Sequence, residues 1–214
     1  MTGRGRFITL EGGEGTGKST QVKRLATALQ ARGIAALATR EPGGSPGAEE
    51  IRRLLVEGEP GRWNVMTETL LVYAARADHV ARTIGPALAA GTWVICDRFN
   101  DSTFAYQGAG RGMERETIRR IDSAVLDDFK PDLTLVLDLD VATGLERAMG
   151  RPGAHNARET RFERFDRDFH ERLRKAFQEI ARRHPDRCRL IDASGTEAEI
   201  AAAILAAVTE RFAL

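Results

Sequence analysis

Phe7-Ile8-Thr9-Leu10-Glu11-Gly12-Gly13-Glu14-Gly15-Thr16-Gly17-Lys18-Ser19-Thr20 is the stretch on which the fold turns. It opens with an apolar run, Phe7 to Leu10, suited to a buried strand. It closes where Val22, Leu25, Ala26 and Leu29 begin to recur at helical spacing. Between them Gly12, Gly17, Lys18 and Ser19 fill the pattern G-x-x-x-x-G-K-[ST]. Strand, glycine-rich loop and helix is the order a phosphate-binding loop requires. Glycines let backbone N–H groups turn onto an anion, and the helix N-terminus adds roughly half a positive charge behind them. Residues Gly12, Gly13, Glu14, Gly15, Thr16, Gly17, Lys18, Ser19 and Thr20 are therefore the candidate nucleotide-binding segment. Lys18 reaches for terminal phosphates, and the Ser19 hydroxyl is offered to Mg²⁺.

Outward from this loop, strand-like runs alternate with helical ones. Strands are expected at 6–11, 34–39, 92–96, 132–137 and 188–192. Helices are expected at 18–31, 47–57, 67–89, 102–107, 115–128, 141–149, 162–183 and 197–212. Strands separated by long helical segments imply an α/β fold, a parallel five-stranded sheet flanked by helices. The strands are rich in Val, Ile and Leu rather than alternating, as when both sheet faces are covered. In such sheets ligands sit outside the carboxyl ends of the strands. The 214 residues fit one domain, 1–214. A net charge of +1 gives no basis for a nucleic-acid polymer or a membrane surface as partner. The longest apolar stretch, Ile200 to Val208, is far below the ~20 residues of a spanning helix. The phosphate loop begins by residue 12, leaving no room for a signal peptide before the first strand. A soluble cytoplasmic protein is expected. Cys96 and Cys188 fit no metal spacing, and Cys96 reads as a core residue. His79, His155, His170 and His184 also lack metal spacing and read as surface or lid residues.

Asp97-Arg98 directly follows the third strand run. Phosphate-loop enzymes place a carboxylate near the metal at such a strand end, which makes Asp97 a metal-site candidate with Ser19. Arg98 is a planar donor suited to a phosphate. Glu14 sits inside a loop built for anions. Unless paired, it must face a metal, a hydroxyl or solvent. The segment 150–161 contains Gly150, Pro152 and Gly153 with Arg151, Arg158 and Arg161. A glycine-hinged loop bearing arginines suits a lid over phosphates.

The run Asp97-Arg98-Phe99-Asn100-Asp101-Ser102-Thr103-Phe104-Ala105-Tyr106-Gln107-Gly108 resembles the D-R-[YHF]-x-x-S-x-x-A-Y-Q-G signature of bacterial thymidylate kinases. Thr39-Arg40-Glu41-Pro42-Gly43-Gly44 resembles their T-R-E-P-G-G segment, Ala74-Ala75-Arg76 their A-A-R helix, and Arg161-Phe162-Glu163 the R-F-E after their lid. The resemblance implies a nucleoside monophosphate kinase fold with a short lid and a homodimer. It also implies transfer of phosphate from MgATP to dTMP. It gives Asp97 the Mg²⁺, Arg98 the acceptor's phosphate and Glu14 the neighbourhood of its 3′-hydroxyl. Arg76 would read thymine O4, Ser102 and Thr103 line the base pocket, Tyr106 exclude a 2′-hydroxyl, and Gln107 fix that loop. Arg52 either reaches the acceptor phosphate or lies on the surface. ATP's adenine would lie between Arg147 and the turn at Ala193-Ser194-Gly195. The family's bacterial branch draws catalytic arginines from the lid. Arg161 aligns best and Arg151 next, while Arg158 falls in an apparent insertion. Many relatives carry a stacking aromatic four residues before the helix Arg. Here that position is Val72, so stacking is lost or passes to Tyr73 or Phe104. The rival readings are a kinase for another nucleoside monophosphate and a nucleotide-gated switch.

Overall fold

The computed structural model describes residues 3–59, 61–150, 161–162 and 165–214. Five parallel strands, β1 (Phe7–Gly12), β2 (Ala36–Arg40), β3 (Trp93–Asp97), β4 (Leu133–Asp138) and β5 (Cys188–Asp192), form one sheet in the order β2-β3-β1-β4-β5. Pairing Leu10 with Asp97 and Gly12 with Leu137 brings the glycine-rich loop level with the ends of both neighbouring strands. Side chains alternate across each strand. Ile8 and Leu10 face α1 (Lys18–Gln30) and α9 (Glu197–Phe212), burying Val22, Leu25, Ile200 and Ile204 with them. Phe7, Thr9 and Glu11 face the other way, where α3 (Val65–His79), α5 (Asn100–Thr103), α6 (Arg115–Leu126) and α8 (Arg167–Arg183) lie. The remaining helices are α2 (Pro46–Val56), α4 (Gly85–Ala89) and α7 (Val141–Met149).

The five strands fall where the sequence predicts them. Three helices differ. The helix expected over 67–89 is α3, a wide π turn at Val80–Ile84, and then α4. Pro86 has no N–H to continue the ladder, and the Gly85 N–H reaches back five residues to the Val80 carbonyl. The helix expected over 102–107 starts earlier, as α5, and widens into a π segment at Phe104–Gly110. The helix expected over 162–183 starts only at Arg167. Asp166 caps it, accepting the Phe169 N–H at 2.7 Å. Before the cap, Phe162 and Phe165 turn inward to the Tyr106 and Phe169 rings.

Candidate active site

The phosphate loop, the Glu41–Gly44 turn and Arg98 directly follow the carboxyl ends of β1, β2 and β3. Gly15 has φ of 69°, and a Cβ there would lie 1.8 Å from the Gly144 carbonyl oxygen. The loop thus rests directly on the α7 backbone, and glycine is required. Lys18 is buried. Its Nζ donates to the Gly13 carbonyl at 2.6 Å and to Thr16 Oγ1 at 3.2 Å. Burial, with the charge of Arg98, pulls its pKa down to about 8. Ser19 Oγ donates to Asp97 Oδ2 at 2.5 Å, so the two expected metal residues meet although 78 positions apart. Both are hard oxygen donors, which suits Mg²⁺. Thr20 is exposed on the first turn of α1.

Glu14 lies at the centre of the site. Arg98 Nη2 donates to its Oε1 at 3.0 Å, and the Tyr106 hydroxyl donates to the same oxygen at 2.5 Å. Burial works to raise the Glu14 pKa. The charges of Arg98 and Lys18 and the Tyr106 hydroxyl overcome it and hold the carboxyl down at about 2. Glu14 is therefore paired rather than solvent-facing. Arg98 also donates to the Gly12 carbonyl at 2.9 Å and stands over the Tyr106 ring at 4.8 Å. Ser102 donates to Glu11 at 2.6 Å and accepts from Arg98 at 3.3 Å.

A second wall comes from α3. Arg76 is buried, with Nε on Glu41 at 2.7 Å, Nη1 on Thr103 at 3.0 Å and Nη2 on the Phe99 carbonyl at 3.0 Å. Behind it His79 bridges Glu41 at 3.1 Å and Thr39 at 2.8 Å. His79 and His170 are both buried, so the surface reading of these two is corrected. Partners such as Thr39 and Glu41, about 40 positions away, enclose His79, and nothing next to it in sequence announces them. Gln107 donates to the buried Glu68 at 2.8 Å. Arg52 is half-buried and donates to the Pro42 carbonyl at 2.8 Å, against the Glu41-Pro42-Gly43-Gly44 turn. Arg147 donates to the Ala193 and Ser194 carbonyls at 3.0 and 3.3 Å, joining α7 to the turn expected beside adenine.

Three expectations require correction or fall outside. Tyr73 is not free to stack on a base. It is buried among Phe7, Ile84 and Phe99, and its hydroxyl donates to Asp122 at 2.8 Å. Phe104 is half-buried against the same cluster with the Arg115 guanidinium over it, and Val72 is half-buried. Arg161 is fully buried rather than presented to phosphates. It donates to Glu68 at 2.5 Å and to the Leu55 and Glu59 carbonyls at 3.0 and 3.2 Å. The physical reason is Glu68, a fully buried carboxylate that needs cations and takes Arg161 and Arg111. Arg151 and Arg158, and the expected lid between Gly150 and Arg161, lie outside the described residues.

Sequence reasoning assigned no individual role to Glu11, Glu41 or Glu68, although the first two lie in segments it placed at the strand ends. For Glu11 and Glu68 the available signal was a carboxylate inside an otherwise apolar strand or helix face; Glu41 lies in the turn after β2. Glu11 is fully buried at the end of β1, and burial together with the charge of Asp101 pushes its pKa up to about 7. Beside the loop, a cleft is lined by Gly13, Glu14, Leu139, Asp140, His170 and Arg174 among others.

A family described as thymidylate kinase matches residues 10–204. The thymidylate kinase of Caulobacter vibrioides is 53% identical over 211 residues, covering 99% of both chains. That of Rhizorhabdus wittichii is 52% identical, covering 96% of this chain and 98% of its own. The crystal structure of thymidylate kinase from Ehrlichia chaffeensis superposes with a TM-score of 0.75 at 31% identity, covering 96% of this chain and 99% of that one. With motifs, fold and full-length relatives in agreement, this chain belongs to the thymidylate kinase family.

Proposed function

We infer that this chain transfers the γ-phosphate of ATP to dTMP, giving dTDP and ADP in the synthesis of dTTP. The observation that carries the reading is Glu14, a phosphate-loop carboxylate bound by both Arg98 and Tyr106. It links the donor loop to the acceptor side through one group. ATP lies on residues 12–19, with Lys18 leaving the Gly13 carbonyl for the β- and γ-phosphates and adenine beside Arg147. Ser19 and Asp97 would hold Mg²⁺. Such a site needs no cluster of protein carboxylates. The ion supplies charge neutralisation at the phosphates when bound.

On the acceptor side Arg98 takes the dTMP phosphate. Arg76, held by Glu41, faces thymine, with Ser102, Thr103 and Val72 along the pocket. Arg52 stands at its phosphate end, and Gln107 fixes the loop from Glu68. Tyr106 lies under the sugar with its hydroxyl on Glu14, where a 2′-hydroxyl would collide. No general base is required, because a phosphate monoester with a second pKa of ~6 is already mostly dianionic at neutral pH. The protein orients two anions, neutralises them and excludes water. By the family pattern Arg151 is the lid arginine assigned to the transferring group. We read the enzyme as a cytoplasmic homodimer. Its two thiols are free and buried, in keeping with a reducing compartment. Among the described residues no helix is long and apolar enough to cross a membrane.

An assay coupled to ADP release, with ATP and each of dTMP, dUMP, dCMP, dGMP and AMP, tests the reading. Turnover is expected with dTMP above the rest. Lys18→Ala is expected to lower kcat by about a hundredfold or more while the protein stays folded. ATP binding with no transfer to any monophosphate would overturn the assignment in favour of a nucleotide-gated switch.

A further inference from the structure

Glu11 is the last side chain of β1 before the phosphate loop, and none of its surface is exposed. By strand alternation it shares a face with Phe7 and Thr9 and points at the start of α5. One carboxylate oxygen accepts the Phe99 N–H at 2.7 Å, and the other accepts the Ser102 hydroxyl at 2.6 Å.

Those two partners have defined places in the helix. Phe99 is the N-cap of α5 and has no side-chain acceptor to offer. Ser102 is its third helical residue. In a capping box that position carries Glu or Gln, which reaches back to the N-cap N–H. A serine is too short to do so. Glu11, from a different element, spans the gap and satisfies both groups.

The turn it caps is under strain. Arg98, immediately before Phe99, has φ of 71°, a conformation that non-glycine residues adopt only when their surroundings enforce it. Its N–H bonds the Leu10 carbonyl at 2.9 Å, so β1 grips this turn twice, at Leu10 by backbone and at Glu11 by side chain. The groups held are those of the acceptor site. The Arg98 guanidinium contacts Glu14 and Ser102, and Tyr106 follows on the same helical stretch.

We propose that Glu11 is a positioning residue of the acceptor site, capping the 99–102 turn from the neighbouring strand so that Arg98 is held ready for the dTMP phosphate and Ser102 for the base pocket. This rests on the dTMP kinase reading and gives it a residue that acts without touching substrate.

The test compares wild type, Glu11→Ala, Glu11→Asp and Glu11→Gln by steady-state kinetics with dTMP and ATP varied separately, and by ATP titration. Glu11→Ala is expected to raise the KM for dTMP about tenfold or more, as for the loss of two buried hydrogen bonds. The KM and Kd for ATP should stay within about twofold. Glu11→Asp, which keeps the charge but withdraws the carboxylate by one methylene, is expected to raise the KM for dTMP about fivefold. Glu11→Gln is expected to recover most of the loss. Its carbonyl can accept from Phe99 and its amide can donate to the Ser102 oxygen. If Glu11→Ala fails to fold, Glu11→Asp decides. A dTMP KM unchanged in the folded variants would overturn the proposal. So would dTMP and ATP constants rising together, or no recovery with Gln. Failure of the wild type to phosphorylate dTMP would instead overturn the functional reading on which it rests.

Discussion

Lys18 is held by its own loop. Its ammonium lies on the Gly13 carbonyl, buried and close to the Arg98 charge, and its pKa falls to about 8. At pH 8.5 roughly three quarters of the free protein then carries a neutral Lys18. Phosphates arriving at this nitrogen favour the charged form and raise the pKa again. ATP binding at pH 8.5 is therefore expected to take up somewhat over half a proton, roughly, and at pH 6.5 almost none. Calorimetry in buffers of different ionisation heats measures this directly. Equal uptake at both values would show that Lys18 is not the group that meets the phosphates. At this scale much was readable in the sequence. The loop residues, Asp97, Arg98 and Tyr106 are recognisable because their chemistry depends on spacing along a local segment. His79 was not. Its function as a buried bridge between Thr39 and Glu41 exists only after β2 and α3 come together.

Arg161 belongs to the scale of elements. Its backbone N–H bonds the Val56 carbonyl at 3.3 Å and its side chain bonds Leu55 and Glu59, so it closes the C-terminal end of α2. Through Glu68 it reaches α3, and Glu68 in turn holds Gln107 and Arg111 on the far side of the site. Three elements meet on one buried carboxylate. Arg161→Ala leaves that charge short of a partner and is expected to cost about 3–5 kcal/mol of stability. Urea unfolding of the purified variant measures it. A loss under about 1 kcal/mol would mean that Arg161 is not anchored in solution, and would return it to the lid. The R-F-E match singles out this residue but cannot tell a phosphate-facing arginine from a buried one. Both readings need the same residue type after the same loop.

For the molecule as a whole, the covered faces of the sheet account for most apolar side chains. Leu54 on α2 and Met66 and Leu70 on α3 remain exposed, the last two one turn apart on a single face. The two helices pack against each other. Their exposed apolar residues are what a homodimer through α2 and α3 would cover. Leu70→Lys together with Met66→Lys is expected to take the proposed homodimer to monomer mass in light scattering. A wild type that scatters as a monomer at micromolar concentration would sink the dimer.

By itself the sequence determined the layered α/β architecture, all five strands, the phosphate loop and several of the residues that the structure brings together around Glu14. Hydrophobic period, glycine placement and short motifs are local properties, and they survive in a linear reading. The tertiary structure alone decided which carboxylates are buried and what they hold. Glu11 caps a helix that begins 89 residues later, Glu41 orients Arg76, and Glu68 takes Arg161 out of the phosphate-binding set. A charged side chain reads the same on a surface as in a core. Only packing settles whether it is desolvated, and desolvation obliges it to find the partners that fix its role.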